Sequence, residues 1–505
     1  MNFDILHQIL TYDPAQPMLF SGMLFWLFFA FVLGIYSFIY KHNMLRISFL
    51  FAVSLFFYYK SGGICFWLLI ISTIIDFLIG LRIGRTDHPL WRRMWLIASL
   101  TFNLGVLAYF KYTYFVVDAL NALVGTDISA SNFLAALANA NLGTHFTVDK
   151  ILLPVGISFY TFQTMSYSID IYRKKLSPVT NIIDFGFYVS FFPQLVAGPI
   201  VRASEFIPQI RKKYELTMDQ FGYAVFLIIN GLIKKIVISD YLSTNFVDRV
   251  FESPESFTGF ENLTAVYAYA LQIYCDFSGY TDIAIGVALL LGYHLAVNFN
   301  SPYKSSDITE FWRRWHISLS SWLRDYVYIS LGGNRKGTVR TYINLMLTML
   351  VGGLWHGAHL RFIVWGALHG AGLAIHKLWI KMFGTISNSL LYRALAWFLT
   401  FHFVCFAWMF FRAESIHQVM VMLEKILFYF TPQIFLQFLE SYTMVVVLML
   451  SAFAIHLIPF RWKETLRDSF ISLPVWEKAV ISIAATVFIY QFKTSEVHAF
   501  IYFQF

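Results

Sequence analysis

The chain is poor in charge. Asp, Glu, Lys and Arg make up 13% of its 505 residues, whereas a water-soluble domain carries about 25%. Hydrophobic residues reach 58% and the mean hydropathy is +0.62. That balance excludes an ordinary soluble enzyme, because the surplus apolar surface must face lipid. Cysteine is scarce too: Cys65, Cys275 and Cys405 stand alone, without CxxC spacing, which excludes a disulfide framework or a thiolate metal site. There is no internal repeat, low-complexity tract or soluble domain, and nothing in the composition calls for nucleic acid. The opening MNFDILHQIL lacks a basic region, an apolar run and a small-residue cleavage site, so no cleavable signal is expected there.

What the chain does have is long apolar runs. A helix needs about 20 residues to cross the hydrocarbon core. The clearest candidates are 18–40, 64–80, 94–110, 221–238, 266–291, 394–411, 445–459 and 480–492. With the less clean segments between them, ten or eleven crossings and some re-entrant pieces are expected, in an all-α polytopic bundle.

Charge placement gives an orientation. Lys41 and Arg46 follow the first span, and Arg82, Arg85, Arg92 and Arg93 follow a later one. The positive-inside rule makes both loops cytoplasmic and puts the N-terminus, with Asp4 and Asp13, outside. It also places Arg173-Lys174-Lys175, Arg211-Lys212-Lys213, Arg335-Lys336 and Arg461-Trp462-Lys463 inside, and the acidic loop of Asp248, Glu252, Glu255 and Glu261 outside. The net charge of +8 is mainly this topology signal.

Polar side chains at bilayer depth are costly and mark functional paths or packed interiors. They concentrate between residues 151 and 376. "LLPVGISFYTFQTMSYSIDIYR" interrupts an apolar run at Pro154 and Gly156 and carries Ser158, Thr161, Gln163, Thr164, Ser166, Ser168 and Asp170. It reads as a broken or re-entrant helix lining a cavity. "YCDFSGYTDIAIG" sets Asp276 and Asp282 in an apolar span, each expected to pair with an arginine or a backbone donor.

"EFWRRWHISLSSWLRDYVYISLGGNRKG", laid on one helix, puts Trp312, His316, Leu319, Ser320, Leu323 and Val327 on one face, with Arg314, Ser318, Ser321 and Asp325 nearly opposite. Such a helix has no lipid face and belongs inside the protein. In the next helix, "LVGGLWHGAH", Gly352, Gly353 and Gly357 permit close backbone approach around Trp355 and His356. His356 and His359 lack an acidic partner at HExxH spacing, so no metal is expected.

These motifs, with "FPQLVAGPIVR", resemble the membrane-bound O-acyltransferases, and within them the bacterial alginate O-acetylase branch. The likeness runs from about residue 151 to 376, which divides the chain into N-terminal transmembrane helices (1–150), a catalytic core (151–378) and C-terminal transmembrane helices (379–505). The resemblance implies a bundle with a central tunnel, in which a cytoplasmic acyl thioester meets an acceptor hydroxyl. It marks His356, in the WHG motif, as catalytic, with His316 as the second histidine. Trp312, Ser320, Arg324, Asp325 and Trp355 are candidate substrate contacts, and Arg335 and Lys336 are candidates for attracting donor phosphates.

The chemistry suits those residue types. Acyl transfer to a hydroxyl needs a base and a group that steadies the acyl carbonyl, and an imidazole held away from water stays neutral, as a base must. His356 is assigned the base, and His316 the hydrogen bonding of the acyl carbonyl or the orientation of the acceptor. No GxSxG serine is present, which disfavours an acyl-serine enzyme. The expected activity is transfer of acetyl from acetyl-CoA to an extracytoplasmic polysaccharide, in the bacterial cytoplasmic membrane, with no bound cofactor. The short outer loops call for a partner, an extracytoplasmic SGNH-type acyltransferase. D-alanyl transfer to teichoic acid from a carrier protein, or a non-enzymatic transporter, are the alternatives.

Overall fold

The computed structural model describes residues 10–14, 16–196, 198–384 and 389–493; Asp4 and both chain ends lie outside them. The described residues are helical and loop, with no strand. The helices that matter below are α1 (Met23–Ile39), α2 (Asn43–Gly62), α3 (Phe66–Arg85), α4 (Pro89–Leu107), α5 (Ile157–Tyr172), α6 (Met218–Leu232), α7 (Gly259–Leu290), α8 (Ile308–Arg314), α9 (Ile317–Trp322), α10 (Thr338–His356), α11 (Leu360–Phe383) and α12 (Leu390–Arg412). Leu27, Phe31 and Phe38 of α1 and Leu391, Leu395 and Phe398 of α12 are exposed. Exposed apolar side chains in such number are what a lipid-facing surface carries, and the protein is a multi-pass membrane protein.

Among the described residues, five helical stretches are long and apolar enough to cross a membrane, or seven if each of two sharply bent pairs is one span. Ten or eleven were expected, and two physical effects separate the numbers. α2 and α3, 20 residues each, form one stretch joined at Gly63. α5, 16 residues long, falls short of a span and is packed against protein, whereas α10 and α11 are interrupted by polar residues and glycines and still expose apolar side chains such as Ile343, Leu347, Ile375 and Leu378. α2 itself was not among the clearest runs, since Arg46 and Lys60 bracket it. Arg46, read as a loop charge, is buried in α2 and donates to the carbonyls of Ile210 and Lys212 at 3.0 and 2.7 Å. Arg92 likewise holds the last carbonyls of α5, those of Ile171 and Tyr172, at 3.2 and 3.0 Å.

Buried polar groups tie the helices together. Asp76 of α3 accepts from Ser99 Oγ and Asn103 Nδ2 of α4 at 2.8 and 2.9 Å. α5 joins them through Thr164 to Asn103 and Ser99 to Ser168, both 2.8 Å. Much of the polar decoration of α5 is therefore spent inside the bundle, where an unpaired group would cost several kcal/mol. Asp276 and Asp282 of α7 do pair with cations, but with lysines, where an arginine or a backbone donor was expected. Lys235 Nζ lies 2.6 Å from Asp276, and Lys234 Nζ 2.7 Å from Asp282. Both lysines sit on the π-helical continuation of α6 (Ile233–Asp240).

Candidate active site

His356 is the last residue of α10 and is 3% exposed. Its imidazole is boxed by the rings of Trp355, Trp365 and Phe411, with centroids 4.9, 5.0 and 5.1 Å away. Two glycines of the motif are required by contact. A Cβ on Gly353 would lie 2.2 Å from the Phe362 carbonyl oxygen, and one on Gly357 would lie 2.1 Å from the Phe362 ring. α10 and α11 can cross that closely only without side chains there.

A cavity of about 40 Å³ opens beside His356, lined among others by Lys111, Pro154, Gly156, Ser158 and Trp355. That is room for a few waters. Residues 153–156 run into it without helical structure, and Gly156, at φ 71°, caps the start of α5 with Leu195 O packed where a Cβ would go. The expectation of a cavity-lining broken helix thus holds for this lead-in and the first turn of α5, and not for the rest of that helix.

The single helix drawn through His316 is absent. α8 stops at Arg314, Trp315 is extended, and His316 takes left-handed backbone angles of φ 42° and ψ 56° before α9 begins. A non-glycine residue there costs about 1–2 kcal/mol, and Asn298 holds it. The Asn298 carbonyl accepts from Ile317 N at 2.9 Å. Its side-chain Oδ1 accepts from Ser318 N at 3.1 Å and from Ser318 Oγ at 2.9 Å, and lies 3.1 Å from His316 Nδ1. The backbone N–H of Ser318 fixes which atom of the amide is oxygen. Nδ1 of His316 must therefore donate, so the neutral ring is protonated at Nδ1, and Nε2 is its accepting nitrogen.

Both histidines meet the same indole: the His316 ring lies 5.9 Å from Trp355 and the His356 ring 4.9 Å from it. Forty residues of chain are thereby folded onto one buried aromatic. Trp312 stands one step back, its Nε1 3.3 Å from His369 Nδ1 and its ring against Trp365. Ser320 Oγ binds the Trp315 carbonyl at 3.1 Å, inside the break.

The remaining candidates lie elsewhere. Asp325 bridges Arg202 at 2.8 Å and Arg324 at 2.7 Å, while Arg173 donates to the Asp325 carbonyl at 3.2 Å. Arg173 follows directly on α5, so this cluster belongs to the end of that helix remote from the cavity. Arg335 and Lys336 are exposed in the turn before α10, about 27 Å of helix from His356.

Three residues were missed. Lys111 Nζ donates to the carbonyls of Trp355 and His356 at 2.7 and 3.0 Å. Asn298 and His369 are both fully buried. Lys111 ends an unremarkable apolar run, and only the pairing across chain positions shows its use.

Comparison with known proteins gives the family. The model of the membrane-bound O-acyltransferase family matches residues 173–417. The chain is 42% identical to the probable alginate O-acetylase AlgI of Pseudomonas putida over 79% of this chain and 78% of that protein. It is 41% identical to the corresponding protein of Pseudomonas aeruginosa over 83% and 76%, and 36% identical to the peptidoglycan O-acetyltransferase of Helicobacter pylori over 74% and 72%. With WHG and its histidine at the buried end of a helix, and relatives this similar over most of their length, the chain belongs to the membrane-bound O-acyltransferase family, on its alginate O-acetylase-like branch, and is an O-acetyltransferase.

Proposed function

We propose that the protein moves acetyl from a cytoplasmic thioester, acetyl-CoA, across the bacterial inner membrane to hydroxyls of an extracytoplasmic polysaccharide, with the N-terminus outside. The observation that carries this is a buried histidine, His356, on the wall of a cavity and sharing an indole with a second histidine. His356 takes the proton of the acceptor hydroxyl as its oxygen attacks the thioester carbonyl. The C–S bond then breaks, and the thiol leaves with the proton returned by the imidazolium. His316, which accepts at Nε2, orients the acceptor side; in this tautomer it does not donate to the acyl carbonyl. The basic turn of Arg335 and Lys336 marks the donor's entry side, from which a tunnel leads toward His356.

The cavity admits one small group and not a polymer. The glycan is therefore reached through a partner, an extracytoplasmic SGNH-type acyltransferase whose serine takes acetyl from this protein. Two relatives carry alginate O-acetylase and peptidoglycan O-acetyltransferase names, which supports a surface polysaccharide as the final acceptor. The test is reconstitution of the purified protein with labelled acetyl-CoA. Label should reach an isolated polysaccharide only when the serine acyltransferase is added. Efficient transfer without it removes the partner from the scheme, and no consumption of acetyl-CoA in its presence removes this donor.

A further inference from the structure

The end of α10 is held in an unusual way. A helix leaves its last four carbonyls without partners inside the helix. Here the Gly353 carbonyl accepts from Gly357 N at 3.4 Å, and the next three are taken by two consecutive side chains. Tyr112 Oη donates to Leu354 O at 2.6 Å, and Lys111 Nζ donates to Trp355 O and His356 O at 2.7 and 3.0 Å. Both belong to a π-helical turn, Ala108–Tyr112, a form that is rare and recurs at functional sites. The third donor direction of the lysine meets Ser158 Oγ at 3.4 Å, in the first turn of α5. One ammonium thus joins the helix end that presents His356 to the opposite wall of the same cavity.

We propose that Lys111 is a positioning residue for acyl transfer, fixing the His356 end of α10 against α5. The proposal rests on the reading of His356 as the base. A cation at a helix C-terminus is favourable, but a lysine at bilayer depth is a costly choice for a cap that neutral side chains could supply. What the ammonium adds is geometry: three donors on one atom reach two successive carbonyls and a second helix. Two of the three are committed to main-chain oxygens at short distance, so Lys111 acts through His356 and not on the substrate. Its alkyl stem comes from a third element, so the cavity closes from three sides around one nitrogen.

The test uses the full-length protein in lipid–detergent micelles with acetyl-CoA, glycan acceptor and the serine acyltransferase. Lys111→Met should lower kcat by about 100-fold, the cost of displacing a reacting group by about 1 Å, with the KM for acetyl-CoA unchanged. Lys111→Arg should recover most of the loss, and ethylammonium added to Lys111→Ala should restore turnover saturably. Tyr112→Phe, which leaves the ammonium in place, should cost less than Lys111→Met. A Lys111→Met enzyme with wild-type kcat, or one whose defect lies only in the donor KM, overturns the proposal. If Lys111→Met does not fold, the ethylammonium titration decides, and the absence of saturable recovery overturns it. His356→Ala run in parallel separates the two readings. An active His356→Ala enzyme refutes the base assignment, whereas an inactive one beside an unaffected Lys111→Met refutes only the role of Lys111.

Discussion

Asn298 Oδ1 faces His316 Nδ1 at 3.1 Å, and the same oxygen receives the backbone N–H and hydroxyl of Ser318. This fixes both the left-handed turn and the tautomer of His316. Nitrogen-15 NMR of histidine-labelled protein, with His316 identified by its loss in His316→Asn, should show the neutral ring protonated at Nδ1; an Nε2-protonated signal would remove the argument. Asn298→Ala should cost at least about 10–100-fold in turnover, the range seen when a metal-bound histidine loses the partner that orients it.

The same tautomer orders the substitutions at His316 itself. His316→Asn can still present an accepting oxygen and should be milder than His316→Ala. Equal and severe losses in both would mean that His316, and not His356, removes the proton.

His356→Ala should abolish transfer and leave a folded membrane protein, since the loss of one imidazole removes the base without opening the interface of α10 with α11. Turnover and thermal unfolding measured on the same preparation check both halves.

Gly353→Ala attacks the fold at the site's foundation. The new methyl would meet the Phe362 carbonyl, which is main chain and cannot swing away. Overpacking of this kind costs about 1–3 kcal/mol. The expected result is a lowered unfolding temperature together with reduced activity, read by thermal unfolding in micelles. A variant with unchanged stability would show that α10 and α11 are not held as described.

Lys234 and Asp282, 2.7 Å apart, should behave as a unit. Asp282→Leu leaves a half-buried cation among helices and should destabilise by about 1–3 kcal/mol, between the values for exposed and fully buried pairs, whereas adding Lys234→Met should recover most of that. A double variant as unstable as the single one would place the effect elsewhere.

Arg335→Gln with Lys336→Gln should raise the apparent KM for acetyl-CoA, and more so at low salt, where charge steering is least screened. An unchanged KM across a salt series assigns the pair to topology alone.

Much of the architecture could be read from the residues because lipid imposes a simple rule on them. The runs at 221–238 and 394–411 lie within or largely coincide with observed helices, and both histidines sat in motifs dense enough to be noticed. What escaped depended on partners far along the chain. Arg46 looked like a loop charge because nothing local shows that the carbonyls of residues 210 and 212 will meet it. His316 looked helical because periodicity assumes one conformation throughout, and the bonds from Asn298 that break the helix come from eighteen residues away. Lys111 gave no sequence signal, since its use depends on one wide turn and on the end of a helix more than 240 residues later.

The cavity of about 40 Å³ beside His356 also bears on fidelity. A base that can activate a serine or sugar hydroxyl can activate water, and hydrolysis of the thioester would waste every acetyl group so consumed. With space for only a few waters, an arriving hydroxyl expels most of its competitors as it takes their place. Enlarging the chamber, for instance by Trp355→Ala, should therefore uncouple the enzyme: thioester would still be split, but a growing share of the acetyl would appear as acetate.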